Sequence, residues 1–216
     1  MEKTLKVTGR AALSLPPDTV RLRMEQRDLH REYGEAVRLS AEHTAQVRRA
    51  LAELGPEKVK TLSFRVDTEY ESAQDEKGNW RQVFAGYRVV HALRAEFPLD
   101  RELLGRVLER LSQLPAGPEL HVEYTLGDRE SARRTLLAQA VESSRSRAQV
   151  LAAAAGVTLG EVLSIDYAWG PEEEVRPLYA AAEGAALRKN AALPIDLDPE
   201  DLTLEETVTI LWRLGE

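Results

Sequence analysis

Strict alternation restricts this chain more than any other feature. Leu62, Phe64, Val66, Thr68 and Tyr70 share one side of an extended run, and Tyr87, Val89, His91, Leu93, Ala95 and Phe97 share one side of the next. A period of two fits a strand with one buried face; a helix needs apolar residues every three or four positions. Asp75-Glu76-Lys77-Gly78-Asn79 between the runs is rich in turn formers, so the pair predicts a long β-hairpin. Gly86, inside the second run, predicts a bulge or a close approach of another backbone segment.

The same alternation recurs along the chain. Leu5, Val7 and Gly9 open one segment, and Val20, Leu22 and Met24 alternate with charged residues in another. Leu15-Pro16-Pro17-Asp18 lies between them, so these two segments predict a first hairpin. Further strands are expected at Leu120–Leu126, Val157–Trp169 and Leu204–Leu214.

Three segments carry helical spacing instead. Glu32–Leu54 repeats Val37, Ala41, Thr44, Val47, Leu51 and Leu54, and Gly55-Pro56 stops it. A shorter helix begins at Pro98-Leu99-Asp100 and ends near Leu114. A long one covers Arg129–Ala155, with Ala132, Leu136, Ala140, Ser143, Arg147, Val150, Leu151 and Ala154 as its predicted buried face. The order is β-β-α-β-β-α-β-α-β-β. Its ββαββ opening predicts antiparallel sheets with helices packed on one face, hence an α+β fold, over one domain spanning 1–216.

Charge narrows the function classes. Between Pro171 and Glu206 stand ten acidic and three basic residues, which accounts for the whole net charge of −7. The remainder is neutral and offers no clustered cations for phosphate, so no nucleic-acid partner is expected. The segment 171–203 has no clear period and is expected to be an acidic irregular loop. No apolar run approaches the roughly 20 residues of a membrane-spanning helix. There is no cysteine, hence no disulfide, no thiolate metal site and no thiol nucleophile. The opening MEKTLKVTGR lacks the apolar stretch of a secretory signal. The chain as written is expected in the cytoplasm, and a trimmed mature form would belong to the periplasm or envelope.

Catalytic patterns are missing. His30, His43, His91 and His121 have no metal-ligand spacing, and neither a G-x-S-x-G elbow nor a phosphate-binding glycine loop occurs. His91 sits on the apolar side of its run and reads as a partly buried, hydrogen-bonded histidine. Asp196-Leu197-Asp198-Pro199-Glu200-Asp201 lacks the glycine and closing glutamate of a calcium loop and reads as solvated. No catalytic residue, cofactor or metal is assigned. Trp80, Phe84 and Tyr87 cluster near the hairpin end, either as a partner contact or as a cap on the core.

Several short signatures, taken together, resemble one family. Val7-Thr8-Gly9-Arg10-Ala11 is similar to a V-x-G-x-[AG] opening, and Pro17-Asp18-Thr19-Val20 to a P-D-x-[AV] strand start. Gly86-Tyr87-Arg88-Val89 looks like a G-Y-x-[AV] strand. The alanine-rich helix followed by Gly156-Val157-Thr158-Leu159-Gly160-Glu161-Val162 resembles a helix ending in G-x-x-L-G-x-V. Pro194-Ile195 resembles a closing P-I-x-P-G-x-[IL] segment, although Asp198–Leu202 lacks its glycine. These are signatures of the SIMPL domain family, bacterial periplasmic and outer-membrane-associated proteins. The resemblance implies an α+β fold, no known enzymatic activity or cofactor, self-assembly, and roles tied to the envelope or stress. The expected function is a non-enzymatic protein acting through protein contacts, as a homo-oligomer or with another protein partner. Two other readings are a small-molecule or ion-binding module using the acidic loop, and a hydrolase in which His91 or His43 meets a carboxylate and a hydroxyl.

Overall fold

The computed structural model describes residues 3–56, 58–74, 78–167 and 199–215. Its elements run β1 (Thr4–Leu15), β2 (Thr19–His30), α1 (Tyr33–Ala52), β3 (Val59–Gln74), β4 (Trp80–Pro98), α2 (Arg101–Ser112), β5 (Glu119–Thr125), α3 (Arg129–Ala154), β6 (Thr158–Asp166) and β7 (Leu202–Gly215). Order and type agree with the predicted sequence of elements, and the fold is α+β. The chain divides into two compact units. Of the described residues, one unit holds 18–125 and the other holds 3–17, 126–167 and 199–215.

The unit of residues 18–125 is a four-stranded antiparallel sheet in the order β3-β4-β2-β5. Alternation makes this sheet two-faced. Val20, Leu22 and Met24 of β2 and Leu93, Ala95 and Phe97 of β4 meet Val47, Ala50 and Leu51 of α1 and Leu104, Val107 and Leu111 of α2. Each such large side chain, once buried, contributes about 1.5–3 kcal/mol. Helix α2 starts at Asp100, whose carboxylate accepts from the backbone N–H groups of Glu102 and Leu103. The opposite face carries the charges. Arg21 pairs with Glu96 at 2.7 Å, Arg23 with Glu123 at 3.1 Å and Arg27 with Glu119 at 2.7 Å. A shallow hollow there is lined by Glu25, Arg27, Arg65, Asp67, Arg88 and Val90. Each of its arginines already faces a carboxylate, Arg27 with Glu25, Arg65 with Asp67 and Arg88 with Glu69. That makes it a solvated ladder of ion pairs and not an anion site.

The second unit is a three-stranded antiparallel sheet in the order β1-β7-β6, with α3 across one face. Val7, Val208, Ile210 and Trp212 face Ala140 and Ala148 of α3. Glu206 of β7 accepts from Arg133 of α3 at 3.1 Å and from the Tyr167 hydroxyl at 3.3 Å. Burial, reinforced by Glu206, raises the Tyr167 phenol above its ordinary range. Gly9 lies where β1 crosses the helix: a Cβ built there would stand 2.0 Å from the Ala140 carbonyl oxygen and 2.5 Å from the Ser144 N–H nitrogen. The Ser144 hydroxyl donates to the Val7 carbonyl at 3.1 Å, and Arg147 donates to that of Thr8 at 3.1 Å.

Two expectations are corrected. The first hairpin does not form: β1 pairs along its whole length with β7, from Thr4 opposite Arg213 to Leu15 opposite Leu202, while β2 pairs with β4 and β5. Pro16 and Pro17 supply no N–H for the cross-strand hydrogen bonds of a tight hairpin, and here the chain passes from one sheet to the other. The buried face of α3 is also different beyond Ala140. It continues through Ser144, Ala148 and Ala152, whereas Ser143 is only half-buried and Arg147, Val150, Leu151 and Ala154 are exposed. A strict four-residue step follows the oblique ridge of a helix, and small residues along it bring the backbone down onto the sheet. Strand β6 ends at Asp166, with Ala168 and Trp169 outside the described residues, and it carries two register shifts against β7.

Candidate interaction surface

The predicted β3–β4 hairpin is present, and Gly86 accounts for its shape. Register shifts by one residue where Glu69 faces Gly86 and Tyr70 faces Phe84, leaving Ala85 as the extra residue of a bulge. At Gly86 φ is +156°, and a Cβ there would lie 2.6 Å from the His30 carbonyl oxygen at the end of β2. Both halves of the sequence expectation, bulge and close approach, are met. Beyond this point β2 ends, and β3 and β4 continue as a two-stranded ribbon.

Aromatic rings line the ribbon where it leaves the sheet. Tyr70 meets Phe84 edge-on at 5.8 Å, Phe84 meets Tyr87 at 5.3 Å, and Tyr87 meets Tyr33 at the start of α1 at 5.4 Å. Edge-to-face contacts at these spacings hold rings in fixed orientation. Of the three predicted contact residues, the structure thus joins Phe84 to Tyr87, which is half-buried. Trp80 stands farther out opposite Gln74 and is 69 % exposed. Tyr33 and Tyr70, at 56 % and 55 %, complete the row and were not singled out from sequence. Tyr70 was legible there as the last member of an alternating run; Tyr33, at a helix start, left no periodic signal.

The same sheet carries a polar layer on its helix side. The buried face of β2 runs Val20, Leu22, Met24 and then Gln26 and Asp28. The His43 ring Nδ1 and Asp28 Oδ1 share a hydrogen bond of 2.6 Å, and Gln26 donates to the same oxygen at 3.4 Å. His91 sits between two hydroxyls, with Nδ1 2.9 Å from Thr44 and Nε2 3.0 Å from Thr61. Phe64 packs edge-on to the His91 ring at 5.2 Å. The carboxyl therefore orients one histidine while the hydroxyls bind the other, so the layer is not a continuous carboxyl–imidazole–hydroxyl relay. The expectation of a hydrogen-bonded His91 holds. Gln26 and Asp28 were missed, although a polar interruption of a buried alternating face is a readable sign.

Burial, with the Arg48 guanidinium adding to it and Asp28 opposing it, holds the His91 imidazole below the ordinary histidine value of 6.5. The unfolded chain therefore takes up this proton first as pH falls. Stability contributed by neutral His91 is complete above pH 6.5 and is lost as pH drops below it toward the folded value. Denaturant midpoints of the native chain and of His91→Gln, followed from about pH 8 to about pH 5, should converge as pH falls. A difference independent of pH would count against this assignment.

Most of the acidic segment 171–203, including Glu172-Glu173-Glu174, Asp196 and Asp198, lies outside the described residues. Among the described residues no helix is long and apolar enough to cross a membrane, and no group of three potential metal ligands occurs.

Sheet topology, the aromatic ribbon and the polar layer together describe an α+β protein that presents a row of aromatic rings at one end of a hairpin. The chain belongs to the SIMPL family: that family's model, described as a protein of unknown function (DUF541), matches residues 5–212, across both compact units. No curated protein matches it. Among solved structures, a de novo designed protein, Ferredog-Diesel, is similar at 20 % identity, over 51 % of this chain and 89 % of that one. Its TM-score of 0.22 carries no argument.

Proposed function

We propose that this SIMPL-family protein works by protein contact and without catalysis, with the aromatic ribbon as its contact surface and a second copy of the chain as its first partner. The observation that supports this is the row Tyr33–Tyr87–Phe84–Tyr70, in edge-to-face contact around half-buried Tyr87 and otherwise exposed, with exposed Trp80 farther out on the same ribbon. Exposed large rings on a rigid support supply contact area at low entropic cost, which is why aromatic residues are enriched at interfaces. The family resemblance supports an envelope- or stress-related process.

Light scattering coupled to size exclusion, at micromolar concentration, tests the reading. The chain should run as an assembly larger than one copy, and Trp80→Ala should shift it toward the monomer without lowering its melting temperature, since Trp80 is 69 % exposed. A strict monomer would remove self-association, and an unchanged mass for the variant would remove this surface.

A further inference from the structure

We infer that strand β3 is a self-pairing edge: two copies join antiparallel about a twofold axis through Val66 and extend the four-stranded sheet into one of eight strands. The inference rests on the self-association reading above and adds a second contact surface beside the aromatic ribbon.

Among the described residues β3 is the terminal strand of its sheet, so one side of its backbone is turned away from β4. Such a side carries a row of N–H and C=O groups that can template another strand. Between its two register shifts, at Thr61/Ser63 and Glu69/Tyr70, β3 is regular for seven residues, Ser63 to Glu69, and Val66 is their midpoint. A twofold axis there sets Ser63 against Glu69 of the second copy, Phe64 against Thr68, Arg65 against Asp67 and Val66 against Val66.

Charge selects this register. Arg65 and Asp67 lie 2.7 Å apart on the same face and are both exposed. Centred on Val66, each Arg65 gains the other copy's Asp67, twice over. Moving the axis to Arg65 sets arginine against arginine, and moving it to Asp67 sets aspartate against aspartate. Like charges directly opposite are unfavourable on a sheet. A one-residue slip would bring helix-side residues of one copy onto the charged face of the other.

Within Ser63–Glu69 the helix side of the strand is also partly uncovered. Helix α1 packs on β2 and β4 and reaches β3 through Arg48, which donates to the Val59 carbonyl at 2.6 Å. Phe64 is left 49 % exposed, in line with half-buried Val66. In the paired sheet each Phe64 stacks over the other copy's Thr68 and next to the central Val66 pair, which removes this stripe from water.

Sedimentation equilibrium of the whole chain tests the pairing with two charge reversals. Arg65→Asp and Asp67→Arg should each weaken the dimer on the order of tenfold or more, because both symmetric pairs become repulsive. Mixing the two single variants should restore dimer, since one then carries two acids and the other two bases at the facing positions. Val66→Cys should form an intermolecular disulfide rapidly under mild oxidation in a chain with no other cysteine, and Thr68→Cys should not. If both reversals leave the dimer unchanged, or the mixture stays as weak as its components, the edge pairing is overturned while self-association through another surface stands. If the native chain is monomeric at every concentration, both fall. Circular dichroism of each variant checks that it is folded, and the mixing result cannot be produced by misfolding.

Discussion

Gly9→Ala is expected to destabilise the β1-β7-β6 unit more than alanine at any other described glycine. The new Cβ would sit 2.0 Å from the carbonyl oxygen of Ala140 and 2.5 Å from the backbone nitrogen of Ser144. Those two atoms belong to the same turn of α3, so the methyl drives into the helix's own hydrogen bond. No rotamer relieves a clash with backbone, and the helix can only lift. Lifting it exposes Ala140, Ala148 and the Val208, Ile210 and Trp212 side chains beneath. Overpacking of a fitted core usually costs 1–3 kcal/mol, and a backbone clash belongs at about 3 kcal/mol or above. For a chain of this size that is a fall of roughly 6–12 °C in melting temperature. Because the obstacle is backbone, neither Ala140→Gly nor Ser144→Gly should restore stability. Thermal unfolding followed by near-ultraviolet circular dichroism is the measurement; a shift under about 1 °C would sink the argument. The conformation at Gly9 is ordinary, so the requirement for glycine there is purely one of space.

His43→Ala should be the most costly loss in the polar layer. The Asp28 side chain is 3 % exposed, and its Oδ1 is held by His43 at 2.6 Å. Deleting the imidazole leaves a buried carboxyl with Gln26 at 3.4 Å as its remaining partner in the layer. Stranding a buried polar group in this way costs about 3 kcal/mol. Asp28→Ala should cost less, about 1–2 kcal/mol, because the His43 side chain is 17 % exposed and can turn toward water. The double variant should then be scarcely less stable than His43→Ala alone. A double-mutant cycle in urea reads this directly, and strictly additive losses would show that the contact contributes nothing.

How much of this was legible in the residues varies by element. The long hairpin was, because alternation over Leu62–Tyr70 and Tyr87–Phe97 leaves a strand as its one outcome. Gly86 was legible as a special position, and its neighbour, the His30 carbonyl, was not. Phe84 and Tyr87 were paired in sequence and meet in space, while Tyr33 reaches them from across the fold. The buried face of α3 is legible as far as Ala140 and not beyond it. Alanine and serine carry too little hydrophobic contrast to mark a side, and what selects Ser144 is the carbonyl of Val7, a residue 137 positions away.

Residue periodicity specifies which segments are strands and helices, their order and the α+β class, since it is a local property written every two or four residues. Residue content also shows that charge gathers in one segment and that no cysteine chemistry is available. Which strands are neighbours follows from the packing of whole elements. Pairing β1 with β7 closes a loop of nearly the whole chain, and no local pattern encodes a partner that distant. The same holds for Gly9 beneath α3, for the Asp28–His43 contact, and for β3 standing at the end of its sheet. Each is a meeting of residues far apart in sequence, chosen by the packing of whole elements.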